Sequence, residues 1–574
     1  MKYFRHIKQI SLALGLLATL TACNKDFPNL LPHFNEAKDS PESKDKVLLV
    51  IVDGLSGPAV QEIAPANLDL MARNGMVSYG SLADPTRDFE VTNQSVAATI
   101  LTGVNSNKNK VTGTDLSQLD LAKYPTIFSQ LKNSGTARKS SLFTSVADYG
   151  TILGKEAEVK VGADDQAVVT AATASLANTE SDLNVVHLTA VDKAGQASSY
   201  AADDAVYKAA VNALDKQVQS LWESVKKRAT FANENWMLVL TSSQGGTTDE
   251  PEKDFTAYGD SKRVIYTMFY SPKFAKKIIP KPNSKDIPFM GNATRYTYKK
   301  GNQIIGKLAD PQAFNMGNDG DWTMTLFLKY NIADDFYYYP TFFSKRETSF
   351  SGPGWNFFLE GDYWGFNSSI AGQVFGPAIN DGNWHALTAV IKRSGSQDSV
   401  YVYTDGTNAS VGTSQRSADT NNLNNSAPLR LGFNPDDGNE DCNVSICNVQ
   451  VYNRAFTAAE VKRYGGVTHI DQDFEFWDNL QGYWPGYDDV NTSTLTEKGA
   501  KGAGDFKLTG SVSWGSFNEL VPFFQPPIAE SFYRLVPNAV DVPFMIYQWL
   551  GVSVESGWGL DGKSWTPNYI QVRK

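Results

Sequence analysis

Two aspartates stand where an α/β sheet would place chemistry. Asp53 ends the apolar run Val47 to Val52 and precedes Gly54, and Asp192 ends the run Asn184 to Val191. Strands buried on both faces of a parallel sheet read as continuous apolar runs, and ligands gather beyond their carboxyl ends. A third run, Trp236 to Leu240, leads into Thr241-Ser242-Ser243-Gln244-Gly245-Gly246, and a further polar cluster is Thr92-Asn93-Gln94-Ser95. Strand-end carboxylates are oxygen donors for divalent cations, and a hydroxyl beside them is a nucleophile in waiting. The amides of Asn93, Gln196 and Gln244 supply neither a useful nucleophile nor a strong zinc donor. No histidine lies between His187 and His385, so imidazole is missing through this region.

The elements that would position these residues follow from periodicity. Ala64 to Gly75 carries proline near a helix start and glycine at its stop. Leu214, Val218, Leu221, Trp222 and Val225 recur at helical spacing, which predicts a covering amphipathic helix from Ala205 to Lys227. Buried strands alternating with such helices predict an α/β domain with a mostly parallel sheet and helices on both faces. After about Asn292 the pattern changes to strict alternation. Trp322, Met324, Leu326 and Leu328 interleave with Thr323 and Thr325, and Val400 and Val402 with Tyr401 before Asp405-Gly406, which predicts an all-β region.

Four ordered motifs give the first region a resemblance to the alkaline phosphatase and nucleotide pyrophosphatase superfamily. They are Val52-Asp53-Gly54, the stretch Val91 to Gly103 containing Thr92-Asn93-Gln94-Ser95, Asp192-Lys193-Ala194-Gly195-Gln196, and Thr241-Ser242-Ser243-Gln244-Gly245-Gly246. The resemblance implies two divalent metals, usually zinc, held by aspartates and histidines, with a hydroxyl nucleophile. Here Asn93 occupies the nucleophile position, Gln196 replaces a ligand histidine, and Ser243 and Gln244 replace an Asp-His pair. A last histidine ligand corresponds loosely to Tyr258. Only Asp53 and Asp192 remain of the ligands, and they belong to different metals, so neither site reaches three or four donors. No catalytic residue, zinc or other resident metal is therefore expected, and the pocket reads as one kept for shape or binding.

The stretches Gly382 to Leu387, Leu429 to Gly432 and Val449 to Thr457 resemble a laminin-G or concanavalin-like jelly roll, and Val536 to Ile546 resembles the closing segment of the first domain. The sandwich then reads as an insertion. The expected layout is a signal peptide at 1–22, a lipidated N-terminus and tether at 23–46, an α/β domain at 47–290 plus 528–574, and a β-sandwich at 291–515. Trp355, Phe357, Tyr363 and Trp364 are candidate sugar-stacking aromatics. Asp436 to Asp441 is a candidate calcium loop.

The first residues place Lys2, Arg5 and Lys8 before an apolar run and Leu20-Thr21-Ala22-Cys23. This is a secretion signal, and its end resembles the bacterial lipobox that is cut before a lipidated Cys23. The apolar run is too short to span ~30 Å of hydrocarbon, so anchoring rather than spanning is expected. Asn24-Lys25-Asp26 resembles a surface-export signal, pointing to a surface-exposed, lipid-anchored protein of the bacterial outer membrane. In that oxidising compartment Cys442 and Cys447 are a candidate disulfide. The net charge of -10 comes with no Lys/Arg-dense stripe, which argues against nucleic acid.

The leading expectation is a non-catalytic surface protein that binds an extracellular ligand, a glycan, beside outer-membrane uptake proteins. Two alternatives stand beside it. One is a phosphodiesterase, phosphatase or sulfatase using Asp53, Thr92 and Asp192 around one magnesium or calcium. The other is a structural subunit of an outer-membrane complex.

Overall fold

A computed structural model describes residues 44–86, 89–135, 138–248, 256–298, 303–347, 350–417, 421–433 and 442–570. Cys23, expected to carry lipid, the expected leader and nearly all of the expected tether lie outside the described residues, as does the acidic stretch Asp436 to Asp441. The chain forms two compact units, one from the described residues up to Pro280 together with those from Val536, the other Lys281–Leu535.

The first unit is built on one eight-stranded sheet. Its strands are β1 (Lys44–Val52), β2 (Gly75–Leu82), β3 (Ser140–Thr144), β4 (Glu158–Val161), β5 (Leu183–Leu188), β6 (Glu234–Ser242) and β7 (Val264–Tyr270), with a short β8 (Phe274–Ala275) outside it and β9 (Lys277–Ile278) at its edge. The order is β4-β3-β5-β1-β6-β7-β2-β9. From β4 to β6 every neighbour is parallel, whereas β7 is antiparallel to both β6 and β2. β1 is central, and its residues Val47 to Val52 are almost wholly buried on both faces, as an apolar run without alternation demands. On one face Leu48, Val50 and Val52 share a core with Tyr207, Val211, Leu214, Val218, Leu221, Trp222 and Val225. These line one stripe of the helix Ala205–Lys226, whose first turn is capped by Asp204 accepting from the Val206 and Tyr207 amides.

One local expectation is extended and another is corrected. The helix expected within 64–75 is Ala66–Ala72, and a separate helix that was not expected, Gly57–Ile63, precedes it and ends where Ala64 adopts φ 49° before Pro65. Proline disfavours the helical conformation of the residue before it and cannot donate, so the chain breaks and restarts there. The strand expected to reach Val191 ends at Leu188, and Asp192 lies instead in the helix Ala190–Ala197.

The second unit is a sandwich of two antiparallel sheets. One runs, in spatial order, Thr407–Gln415, Gln397–Thr404, Trp384–Ser394, Trp322–Tyr330, Cys442–Tyr452, Phe289–Tyr298 and Ser513–Glu519, with Leu480–Trp484 also paired to Cys442–Tyr452. The other runs Gly372–Ala378, Tyr363–Ser368, Gly354–Gly361, Tyr337–Arg346, Arg430–Gly432, Ile305–Lys307, Phe506–Thr509 and Thr494–Leu495. Inward residues of both, among them Met324, Leu326, Leu328, Val400 and Val402, form one core with Trp355, Phe357 and Trp364. The unit starts before residue 291 and ends after 515 because Phe289–Tyr298 is laddered along its length to Ser513–Glu519.

The expected disulfide is absent: Cys442 and Cys447 are not bonded to each other. Both sit on the strand Cys442–Tyr452. Five residues of extended chain separate them by roughly 16 Å, more than twice a disulfide's reach, and an odd spacing turns them to opposite faces. Cys442 belongs to the main core and Cys447 to a separate cluster with Phe289, Phe327 and Trp384.

Candidate functional site

The register of the central strands brings the singled-out residues together. Val52 is paired with both Leu188 and Ser242, so the chain leaves β1, β5 and β6 at one level. Asp53 follows β1, Ser243 and Gln244 follow β6, and one turn of chain after β5 starts the helix that carries Asp192. Gln196 is four residues beyond Asp192 on that helix, hence on the same face. Asn93 opens the helix Asn93–Thr102. Gly54, at φ +75°, is required here, because a Cβ on it would stand 2.5 Å from Asp192 Cα.

Asp53 and Asp192 are both buried, each 4% exposed. Asp192 is the hub. Its Oδ2 accepts from Asn93 Nδ2 at 2.8 Å and Gln196 Nε2 at 2.7 Å. Its Oδ1 accepts from Tyr200 Oη at 2.6 Å and Gln244 Nε2 at 3.3 Å. Asn93 Oδ1 accepts in turn from Gln244 Nε2 at 2.9 Å and lies 2.7 Å from Ser243 Oγ. That hydroxyl is also 2.7 Å from Asp53 Oδ1, and its single proton serves one acceptor at a time. Burial raises the Asp192 carboxyl above the usual range, the Tyr200 and Asn93 hydrogen bonds act against the rise, and Asp53 adds to it.

Three further residues complete the site. His187 Nε2 lies 3.1 Å from Asp53 Oδ2, and its Nδ1 is 3.0 Å from Thr144 Oγ1. Tyr149 packs on the imidazole with ring centroids 4.5 Å apart, and burial, then Asp53 and Asp192, drive its hydroxyl well above the ordinary tyrosine range. The one sequence signal for His187 was a polar residue inside the apolar β5 run. Tyr200 and Tyr149 left no signal, because they arrive from segments with no motif of their own.

Thr92 and Ser95 do not face the carboxylates as nucleophiles. They form a reciprocal capping box on the helix Asn93–Thr102, and Thr92 Oγ1 also donates to the Gly113 carbonyl at 2.8 Å. Tyr258 is buried in a short turn, Ala257–Gly259.

These residues do not fit a pair of metal ions. A metal needs free carboxylate lone pairs, yet neutral N–H and O–H donors from four side chains converge on Asp192 and a hydroxyl stands against Asp53. Among the described residues no three His, Cys, Asp or Glu side chains group as ligands.

In the second unit the four candidate aromatics separate. Trp355, Phe357 and Trp364 are fully buried in the inter-sheet core, with Trp364 Nε1 donating to Thr404 Oγ1 at 2.8 Å. They hold the sandwich together and present no face to a sugar. Tyr363 alone is outward, 50% exposed.

Residues 306–462 match the family model of the concanavalin A-like lectin/glucanases superfamily, and residues 470–566 match a domain of unknown function, DUF4983. No curated protein matches the chain in sequence. Similar solved structures include a 2-O GAG sulfatase, at 13% identity and TM-score 0.32 over 41% of this chain and 66% of that one. A murine ectonucleotide pyrophosphatase/phosphodiesterase 5 aligns at 11% identity and TM-score 0.33, over 41% of this chain and 92% of that one. A putative sulfatase from Bacteroides thetaiotaomicron aligns at 14% identity and TM-score 0.33, over 42% of this chain and 67% of that one. The chain thus joins a mixed, mostly parallel α/β unit to a concanavalin-like β-sandwich.

Proposed function

We propose that this is a lipid-anchored, non-catalytic envelope protein whose α/β unit keeps the frame of a metallo-hydrolase with its reactive positions refilled, and whose sandwich binds an extracellular glycan. The observation that carries the reading is the saturation of Asp192. Asn93, Gln196 and Gln244 stand where the resemblance puts a nucleophile and two ligands, and all three donate to Asp192, one of the two carboxylates that remain as candidate ligands. The three side chains therefore complement one another around a single buried carboxyl group. The hydrolase reading around Asp53, Thr92 and Asp192 is weakened by the Thr92 hydroxyl, which is committed to a helix cap and a carbonyl. Glycan binding and a place beside uptake proteins draw on the concanavalin-like match and on the lipobox-like leader.

The test is elemental analysis of purified protein after incubation with zinc, magnesium and calcium and desalting, alongside phosphodiester and sulfate-ester turnover. We expect less than one tightly held transition metal per chain and no turnover. Two retained zincs, or hydrolysis lost on Asp192→Ala, would overturn the reading.

A further inference from the structure

The outward face of the sheet containing Gly354–Gly361 is unusually aromatic. Cross-strand partners in an antiparallel ladder share a face, so the register defines its rows. Glu360 pairs with Tyr338 on one side and Tyr363 on the other, and both tyrosines are at least half exposed. In the next row Phe358 lies between Thr341 and Gly365, with Phe375 beyond Gly365. Gly365 leaves room for the neighbouring ring: a Cβ there would come within 2.5 Å of Phe358 Cζ. The rings are continuous, with centroids 5.4 Å apart for Phe358 and Phe375, 6.0 Å for Phe358 and Tyr339, and 4.6 Å for Tyr339 and Tyr338.

A break in the ladder builds the polar centre of this face. The register shifts between Tyr338 and Thr341, and Tyr339 takes φ 58°, a left-handed conformation that a bulky residue keeps only when its surroundings enforce it. The bulge turns Tyr339 so that its hydroxyl donates to Glu360 Oε1 at 2.6 Å. Glu360 Oε2 has no hydrogen-bond partner among the described residues. That oxygen is buried, and a buried carboxylate oxygen without a donor, beneath rings exposed to solvent, is a feature that folding alone does not reward.

We propose that Tyr338, Tyr363 and Phe375, arranged around Glu360, form a binding platform for a neutral pyranose glycan. This rests on the glycan reading above and goes further by naming the face and the charge class of the ligand. A pyranose has an apolar C–H face that lies on an aromatic ring and peripheral hydroxyls that donate, and the platform offers both complements. An apolar peptide would leave the buried Glu360 Oε2 still without a donor, whereas a sugar hydroxyl can supply one. A sulfated or uronic chain would bring anions against Glu360 and a protein of net charge -10. Of the four aromatics singled out from sequence, Tyr363 is the one that takes part.

The full chain in detergent would be titrated with mixed-linkage β-glucan and galactomannan as neutral probes, and with heparin and alginate as acidic ones. Affinity electrophoresis would rank the probes and calorimetry would measure binding. The expected result is binding of a neutral probe, weakened at least about tenfold by Tyr338→Ala/Phe375→Ala and by Tyr363→Ala, the scale of losing an aromatic anchor. Unfolding temperatures should stay at the wild-type value, since the substituted rings are outward. Neutral binding that survives both variants would overturn the platform and leave glycan binding standing. Binding of the acidic probes alone would overturn the assigned charge class. No binding to any probe would overturn the platform and the glycan reading together.

Discussion

Replacing Asp192 by alanine distinguishes a hydrogen-bonded hub from a metal ligand. In the native unit three donors reach this carboxylate at 2.6 to 2.8 Å and a fourth at 3.3 Å. A hydrogen bond to a charged group contributes about 1.5–3 kcal/mol, so the three short bonds sum to roughly 5–9 kcal/mol as an upper bound. The realised loss is smaller, because Gln196 is exposed and Asn93 half-buried, and both can turn their amides to water. Tyr200 cannot: its ring is packed under Gly195 and Gly246, each of which would clash with it if it carried a Cβ. We therefore expect Asp192→Ala to destabilise the α/β unit by about 1–3 kcal/mol, the cost of leaving the buried Tyr200 donor unpaired once the carboxylate is gone. Urea unfolding followed by the tryptophan fluorescence of this unit gives the number, and the same titration with and without EDTA supplies the control. The wild type should be indifferent to EDTA. A loss below about 1 kcal/mol, or an EDTA effect as large as the substitution, would refute the hub.

His385 is flanked by Asp405 at 2.8 Å and Asp381 at 3.0 Å. Burial opposes its charge, but the two carboxylates outweigh burial and raise its titration above the ordinary 6.5. Its stabilising contribution is therefore full below the unfolded value and lost as pH rises through the raised one; an NMR titration of the ring should show the elevation, and Asp405→Asn should reduce it. Cys442 and Cys447 should both react with iodoacetamide after denaturation without reductant, and dithiothreitol should leave the melting temperature within about 1 °C; protection of the pair would contradict the strand geometry. Trp355→Ala should cost about 3–5 kcal/mol in chemical denaturation, whereas Tyr363→Ala should fall within about 0.5 kcal/mol of wild type. Equal costs would contradict their placement on opposite faces of one sheet.

Much of this molecule was legible before any coordinates. The ends of β1 and β6, the helix Ala205–Lys226 and the switch to a β-sandwich are local matters, since backbone period and side-chain polarity report them residue by residue. The lack of histidine between His187 and His385 was equally plain, because it holds in any fold. What Asn93, Gln196, Ser243 and Gln244 do together was not. Their side chains become one network only when β1, β5 and β6 align at Val52, Leu188 and Ser242 and Tyr200 folds back on Asp192. The aromatics show the same division: composition identified Trp355, Phe357, Tyr363 and Trp364, but a strand has two faces, and only the position of the second sheet decided which face was buried. The sequence alone determined periodicity, polarity and the absence of histidine between His187 and His385, which are properties of the chain itself. Tertiary structure decided which distant polar groups satisfy one another, because a buried carboxylate is stabilised by donors that reach it through space.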